Sequence, residues 1–425
     1  MNINEVKWTK IKLKQYNAPL PDIRAKATQE LSVLKNKIKP GMKVAVAVGS
    51  RGINNIALIT KCTVDFIKSC GGVPFIVPAM GSHGGATAEG QTEVLHSYGV
   101  TEDYTGAPII SSMDVVQIGS TGGTPDIPVY LDKNAWESDG VIAINRVKLH
   151  TDYHGTHESG VIKMLTIGLG KHKQALEIHK YGYQGLRDYI PLVSSVIIDS
   201  GKIIGTLAIL EDGYDNTSDI GVASGKDIFR LDSEFVELSR KTIAKLPFDQ
   251  FDLLIVDSMG KNFSGSGLDT NVVGRIRILG QKDGKPECSR IVTLDLADES
   301  HGNAAGVGLS DVITKRLADK IDREATYENI ITSGFLDRGY LPIVQDTDKK
   351  AINLALDFCD VFNPEAVRVA RIRNTLDLSE MYVSNALYDE LSKKQPDEYP
   401  PIDEASSAIR FQPMSFDENG NIVPF

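Results

Sequence analysis

The chain has 425 residues, 41% of them hydrophobic and 24% charged, with a formal net charge of −10. That length exceeds what one core usually organises and favours two or three domains, while the acidic balance and the absence of a long basic block argue against nucleic acid or an anionic membrane as partner. No apolar run reaches the about 18 residues of a membrane helix, and MNINEVKWTKIKLKQY scatters charges where a signal peptide has its apolar core, so a cytoplasmic protein acting on small molecules is expected.

In chain order, PDIRAKATQELSVLKNKI predicts a first helix. KVAVAVGSRG then reads as a buried parallel strand, a Val-rich run ending in glycine. NNIALITKCTVDFIKSCGG predicts a helix with a Gly-Gly stop. VPFIVPAMGSHGG repeats the strand and loop, TAEGQTEVLHSYG the helix, and DGVIAINRVKLH gives a third strand. Strands alternating with helices imply crossover units and a parallel sheet covered on both faces. Ligands of such sheets collect outside the carboxyl ends of the strands. Arg51, His83 and His150 each follow one of the three runs, so all three are expected at one rim.

Farther on, VSSVIIDSGKIIGTLAIL reads as a hairpin turning at Ser200-Gly201, and DSEFVELSRKTIAKL as a helix leading to Pro247. FDLLIVDSMG restarts the strand pattern, followed by RIVTLDL, a long helical stretch in AAGVGLSDVITKRLADKI and a helix in DTDKKAINLALDFCD. This places an N-terminal α/β domain over residues 1–248, a smaller α/β domain over 249–400, and a coil-like tail over 401–425 that packs back on the body.

Three of the eight histidines, His150, His154 and His157, crowd into KLHTDYHGTHESGVIK, and His172 and His179 follow in KHKQALEIHKYG, a helix on which they share a face. A single histidine is more often a surface or satisfied core residue than a catalyst. His83 is different in kind: in GSHGG the glycines explain a tight turn, and the histidine between them is what a turn does not need. Lys163 sits in GVIKMLTIGLG, apolar surroundings that disfavour an ammonium and leave an amine available as nucleophile or tether. A zinc site built from His150, His154 and His157 is the competing reading; the loop is rich in Gly and Thr, with no HExxH pattern. The four cysteines have no C-x-x-C pair, so thiolates are not expected to hold a soft metal. The residues alone thus give a rim carrying arginine, histidines and a sheltered lysine, suited to an anionic substrate and acid/base work.

An Arg after the first strand, a Gly-flanked His after the second, and a His, Lys and His set with sixteen positions from Lys163 to His179 together resemble the nickel-dependent lactate racemase family. The resemblance is densest from residue 43 to 182 and resumes at GKNFSGSGLDTNVVGRIR, residues 260 to 277. It implies a Rossmann-like parallel sheet in the first domain and an active site in the cleft between two domains. It further implies an isomerase that inverts C2 of a 2-hydroxy acid by reversible hydride transfer through a nickel-pincer nucleotide, a pyridinium bisthiocarboxylic acid mononucleotide. In that frame Lys163 is the tether and His179 the nickel ligand. His83 and His150 are the two catalytic histidines, with Arg51 orienting the substrate carboxylate. The enzymes that make the cofactor are the implied partners, and a homo-oligomer is allowed.

The chain departs from the family's pattern in three places. The connection from His150 to Lys163 is longer, which makes His154 a competitor of His150. The substrate-contacting lysine of the second domain aligns with Arg277, with Arg275 near enough to replace it. No acidic residue precedes Arg51. These departures imply a substrate other than lactate, a larger or more polar 2-hydroxy acid. A non-catalytic nucleotide- or metal-binding protein of the same architecture is the remaining alternative.

Overall fold

The computed structural model describes residues 1–50, 52–394 and 411–425. Among these the strands, in chain order, are β1 (Lys7–Lys12), β2 (Lys43–Val48), β3 (Val73–Pro78), β4 (Val115–Ser120), β5 (Pro128–Asp132), β6 (Gly140–Arg146), β7 (Ile203–Glu211) and β8 (Thr217–Ala223). They continue as β9 (Gln250–Met259), β10 (Glu287–Leu296), β11 (Val312–Thr314), β12 (Ile343–Gln345), β13 (Val369–Ile372), β14 (Glu380–Ser384) and β15 (Gln412–Pro413). The chain is α/β throughout and divides into two units, Tyr16–Ile243 and a second made of Met1–Gln15 with Ala244–Phe425. No helix of the described residues is long and apolar enough to cross a membrane.

The unit Tyr16–Ile243 is built on a five-stranded sheet of order β3-β2-β6-β7-β8. The first four strands are parallel and β8 closes the edge antiparallel to β7. Val44, Val46, Val48, Ile142 and Ile144 share one core cluster with the helices Ile23–Leu31 and Ile56–Ser69. Alternation along the strands sends Ala45, Ala47 and Ala143 to the other face, on which the short helix Val161–Lys163 packs against β6 and β7 and the helix Asp227–Thr242 against β7 and β8. The helix Ile56–Ser69 buries Ile56, Ile59, Val64 and Ile67, each worth about 1.5–3 kcal/mol relative to exposure. It stops at Cys70, where Gly71 takes a φ of 81°. From β2 the chain turns to β3 on one side, and from β6 to β7 on the other, so the strand order reverses between β2 and β6. Gly49 lies at that point; a Cβ there would stand 2.2 Å from Oδ1 of Asn145, so a larger residue would have to displace that side chain.

The second unit carries an eight-stranded sheet of order β12-β11-β10-β9-β13-β14-β1-β15. Its first five strands are parallel, and β14, β1 and β15 are antiparallel additions. The first fifteen residues therefore belong with the C-terminal half and not with the domain that follows them: β1 pairs with β14 from Trp8↔Ser384 to Lys12↔Glu380. The described part of the tail also lies here, with β15 on β1 and the ring of Phe425 edge-on to Tyr382 at 5.0 Å; residues 401–410 lie outside the described residues.

Two expected elements are replaced. The first half of the expected hairpin is a helix, Ile190–Asp199, and the hairpin is instead β7 to β8. Val193, Ser194, Ile197 and Ile198 are buried at helical spacing, so packing overrides the strand preference of their branched side chains. The long helix expected over 304–321 is broken into a 3₁₀ turn at Val307–Leu309, strand β11 and the helix Lys315–Asp319. A φ of 100° at Gly306 and a Cβ contact of 1.7 Å with the Ser266 carbonyl show why this segment cannot be a helix of ordinary residues.

Candidate active site

Ser50, His83 and His150 stand on the segments that leave the carboxyl ends of β2, β3 and β6, the ligand side of a sheet of this topology. Arg51, expected beside them, lies outside the described residues. His83 is half-buried, and its Nδ1 is 2.5 Å from the Ser50 hydroxyl. The turn that carries it runs through Gly84 and Gly85 with φ of 64° and 65°. Gln91, wholly buried, holds the turn from within, donating to the carbonyls of Gly81 at 2.8 Å and His83 at 3.2 Å.

Gln91 is itself held by Lys171. That lysine is wholly buried at a φ of 55°, and donates to the Pro78 carbonyl at 2.5 Å and to Gln91 Oε1 at 3.0 Å. It pairs with the equally buried Asp132 at 3.3 Å. Burial pushes the Lys171 ammonium below its ordinary range, with Asp132 opposing, and burial pushes Asp132 up, with Lys171 opposing. Lys171 opens the helix Lys171–His179, so the element that ends on His179 is anchored at its start to the loop of His83.

His150 is buried, stacked on Tyr153 with ring centroids 4.5 Å apart. Its Nδ1 accepts from the backbone N–H of Asp152 at 3.0 Å, and its Nε2 is 2.5 Å from Nζ of the half-buried Lys163. The expected tether and one expected catalyst are thus in contact. His179 is within electrostatic reach of the same lysine: burial holds its basicity below the ordinary imidazole value, a positive charge on Lys163 adds to that, and Asp152 opposes.

The loop between His150 and Lys163 is organised by two buried carboxylates. Glu158 accepts from the backbone N–H of His150 at 2.7 Å and of Gly155 at 3.2 Å, and contacts His154 Nδ1 at 3.3 Å and the Arg240 guanidinium. Asp232 takes His157 Nδ1 at 2.9 Å and the N–H of Ile162 at 3.2 Å. The three crowded imidazoles therefore face three different partners, Lys163, Glu158 and Asp232, and do not converge on one ion. Among the described residues no group of three or more His, Cys, Asp or Glu is placed to hold a metal. The zinc reading is overturned by this geometry. His154 lines an open cavity of about 920 Å³ against the outer side of the helix Asp227–Thr242, with neither His150 nor Lys163 in its wall.

Arg275 and Arg277, expected to bind substrate, are in the other unit and spend their guanidinium groups on its scaffold. Both meet Asp311, at 2.6 and 3.0 Å, and they donate to the carbonyls of Leu309, Cys288 and Gly308. Arg275 is buried there as a strut, which its place in an RIR triplet did not reveal.

The donors at this place are the Lys163 amine, the His150 imidazole in contact with it, and the His179 imidazole of lowered basicity. No thiolate replaces them, since burial pushes Cys288 and Cys359 up to about 12 and all four cysteines are free thiols. A bare ion needing three or four protein ligands does not fit such a set. A metal that arrives with most of its donors supplied by an organic group, needing one neutral imidazole and one amine from the chain, does fit.

No family model matches the chain, and no curated protein matches it. A solved structure, the lactate racemase apoprotein from Thermoanaerobacterium thermosaccharolyticum, is similar to it at 13% identity with a TM-score of 0.47, over 79% of this chain and 83% of that one. A likeness this partial says nothing about chemistry, which has to come from the side chains at the rim.

Proposed function

We propose that the chain is a racemase or epimerase of a 2-hydroxy acid, with a nickel-pincer nucleotide joined to Lys163 and its metal completed by His179. The observation that carries this reading is the 2.5 Å contact of Lys163 with His150, on the ligand side of the parallel sheet and within electrostatic reach of His179. Bound there, the group supplies a reversible acceptor for the C2 hydride of the substrate.

The chain's own residues then have three tasks. His83 and His150 hold and deliver the hydroxyl proton, one as base and the other as acid, so that either enantiomer is a substrate. Each has its Nδ1 engaged, by Ser50 and by the N–H of Asp152, and a fixed Nδ1 leaves Nε2 as the working nitrogen. Arg51 takes the substrate carboxylate as a planar fork, which Lys in its place would not reproduce. His179, kept uncharged by burial, has its lone pair available to a metal at neutral pH.

The test is the mass of the tryptic peptide containing Lys163 after co-expression with enzymes that make the cofactor, together with turnover of a panel of single-enantiomer 2-hydroxy acids. A mass increment on Lys163 and inversion at C2 are expected, with deuterium at C2 retained in the product, and both lost in Lys163→Ala. Full activity from protein with an unmodified Lys163 sinks the proposal. Equal ligand affinity in wild type and His83→Ala, without turnover of any hydroxy acid, would mark a binding protein instead.

A further inference from the structure

His150 stands between two nitrogen neighbours whose hydrogen-bond directions are not independent. The backbone N–H of Asp152 donates to Nδ1 at 3.0 Å, so Nδ1 presents a lone pair. The Asp152 carboxylate is 3.7 Å from the same nitrogen, too far to take a proton from it. The proton of the ring therefore sits on Nε2. Nε2 faces Nζ of Lys163 at 2.5 Å, a distance at which two donors cannot oppose each other. The lysine nitrogen has to accept, and an ammonium has nothing to accept with. A doubly protonated ring does not resolve the conflict, because the Asp152 N–H would then face a second donor.

We propose that His150 holds Lys163 as a free-base nucleophile in the unloaded chain, and that acylation of this amine is the event that releases His150 for proton transfer. The neighbours of Lys163 in sequence, Val161, Ile162, Met164 and Leu165, are buried and apolar, surroundings that disfavour an ammonium, and a positive charge on Lys163 would depress the basicity of His179 further. The Asp152 carboxylate is the anion of this cluster, 3.7 Å from Nδ1 of His150 and acting on His179. In the step itself Nζ forms a bond to an acyl carbon, the leaving group departs with its electron pair, and the proton shed by nitrogen passes to water. The product nitrogen has its lone pair delocalised into a carbonyl or thiocarbonyl and no longer accepts. His150 Nε2–H then loses its partner and turns to whatever hydroxyl lies at the rim. The chain could not therefore commit its second imidazole to substrate before the group is in place. This rests on the proposed function only in taking Lys163 as the attachment point.

Unloaded protein is acetylated with trace acetic anhydride at neutral pH and again at strongly alkaline pH, and each lysine is quantified by peptide mass spectrometry. The ratio of the two rates cancels accessibility and reports the free-base fraction. Lys163 is expected to show a ratio about tenfold or more above that of exposed Lys282. In His150→Phe, which keeps the ring and loses both nitrogens, the Lys163 ratio should fall toward that of Lys282. Carbethoxylation of His150 should rise severalfold once Lys163 is acetylated, while His157, held by Asp232, reports an unchanged fold. A Lys163 ratio equal to that of Lys282 overturns the inference, as does a high ratio that survives His150→Phe. A chain that carries no nickel group and inverts no hydroxy acid would still show the high ratio. An ordinary ratio in protein that does become loaded would sink the inference and leave the function standing.

Discussion

Gly84 is the position where the rim tolerates least change. Its φ of 64° is strained for any residue with a side chain, and a Cβ there would lie 2.5 Å from the backbone carbon of Gly90, an obstacle that no rotamer change removes. Gly84→Ala should cost about 1–2 kcal/mol in backbone strain alone. It should also move His83 off Ser50, lowering turnover by about a hundredfold through misplacement of the imidazole; a melting curve and a rate measurement on the same sample check both. The histidine in GSHGG was legible because its glycines are visible in the sequence. Glu158 and Asp232 were not. A carboxylate in HGTHESG or RLDSEF looks like surface charge, and only the folded chain shows that both are wholly buried and each fixes one imidazole of the crowd. The same limit hid the role of Arg275 in its own unit, because its partner Asp311 is thirty-six residues away.

The helix Lys171–His179 gives the clearest case of one element serving two loops. Lys171→Met should remove two hydrogen bonds and an ion pair and leave Asp132 buried beside an apolar chain, a loss of about 3–5 kcal/mol at neutral pH. The pH dependence follows from the lowered basicity of Lys171. Below its folded value both folded and unfolded chains hold the proton; between that value and 10.5 only the unfolded chain takes it up, so the wild-type protein gains stability as pH rises across that window. Urea midpoints measured from neutral to alkaline pH should therefore diverge between wild type and variant as pH rises. Strands β2, β3 and β6 were readable because they are short, nearly continuous apolar runs, the pattern of a parallel strand covered on both faces. The helix Ile190–Asp199 was not, because its Val and Ile residues favour strands locally and it is tertiary burial of one stripe that decides. Strand β11, three residues long, is too short to leave any period in the sequence.

On the scale of the whole molecule, the unit that closes the C-terminal half depends on residues from the other end of the chain. Trp8 is buried and stacks on Tyr382 at 4.6 Å, with the Arg371 guanidinium 5.9 Å from its ring and 4.9 Å from that of Phe425. Arg371 is itself forked onto Asp257 at 2.7 and 2.8 Å. Trp8→Ala should cost this unit about 3–5 kcal/mol. Hydrogen exchange should then quicken in β13, β14 and β15 and stay slow in β2, β3 and β6; uniform quickening across both sheets would contradict the division of the chain into two cores. The pairing of β1 with β14 also orders events while the polypeptide is being made. The opening strand leaves the ribosome first, yet the strand it zips against is translated some 370 residues later, so for most of synthesis it must wait unpaired. Every strand of the five-stranded sheet has its neighbours within Lys43–Ala223, and the meeting of Lys163 with His150 can be complete before the other half of the protein exists.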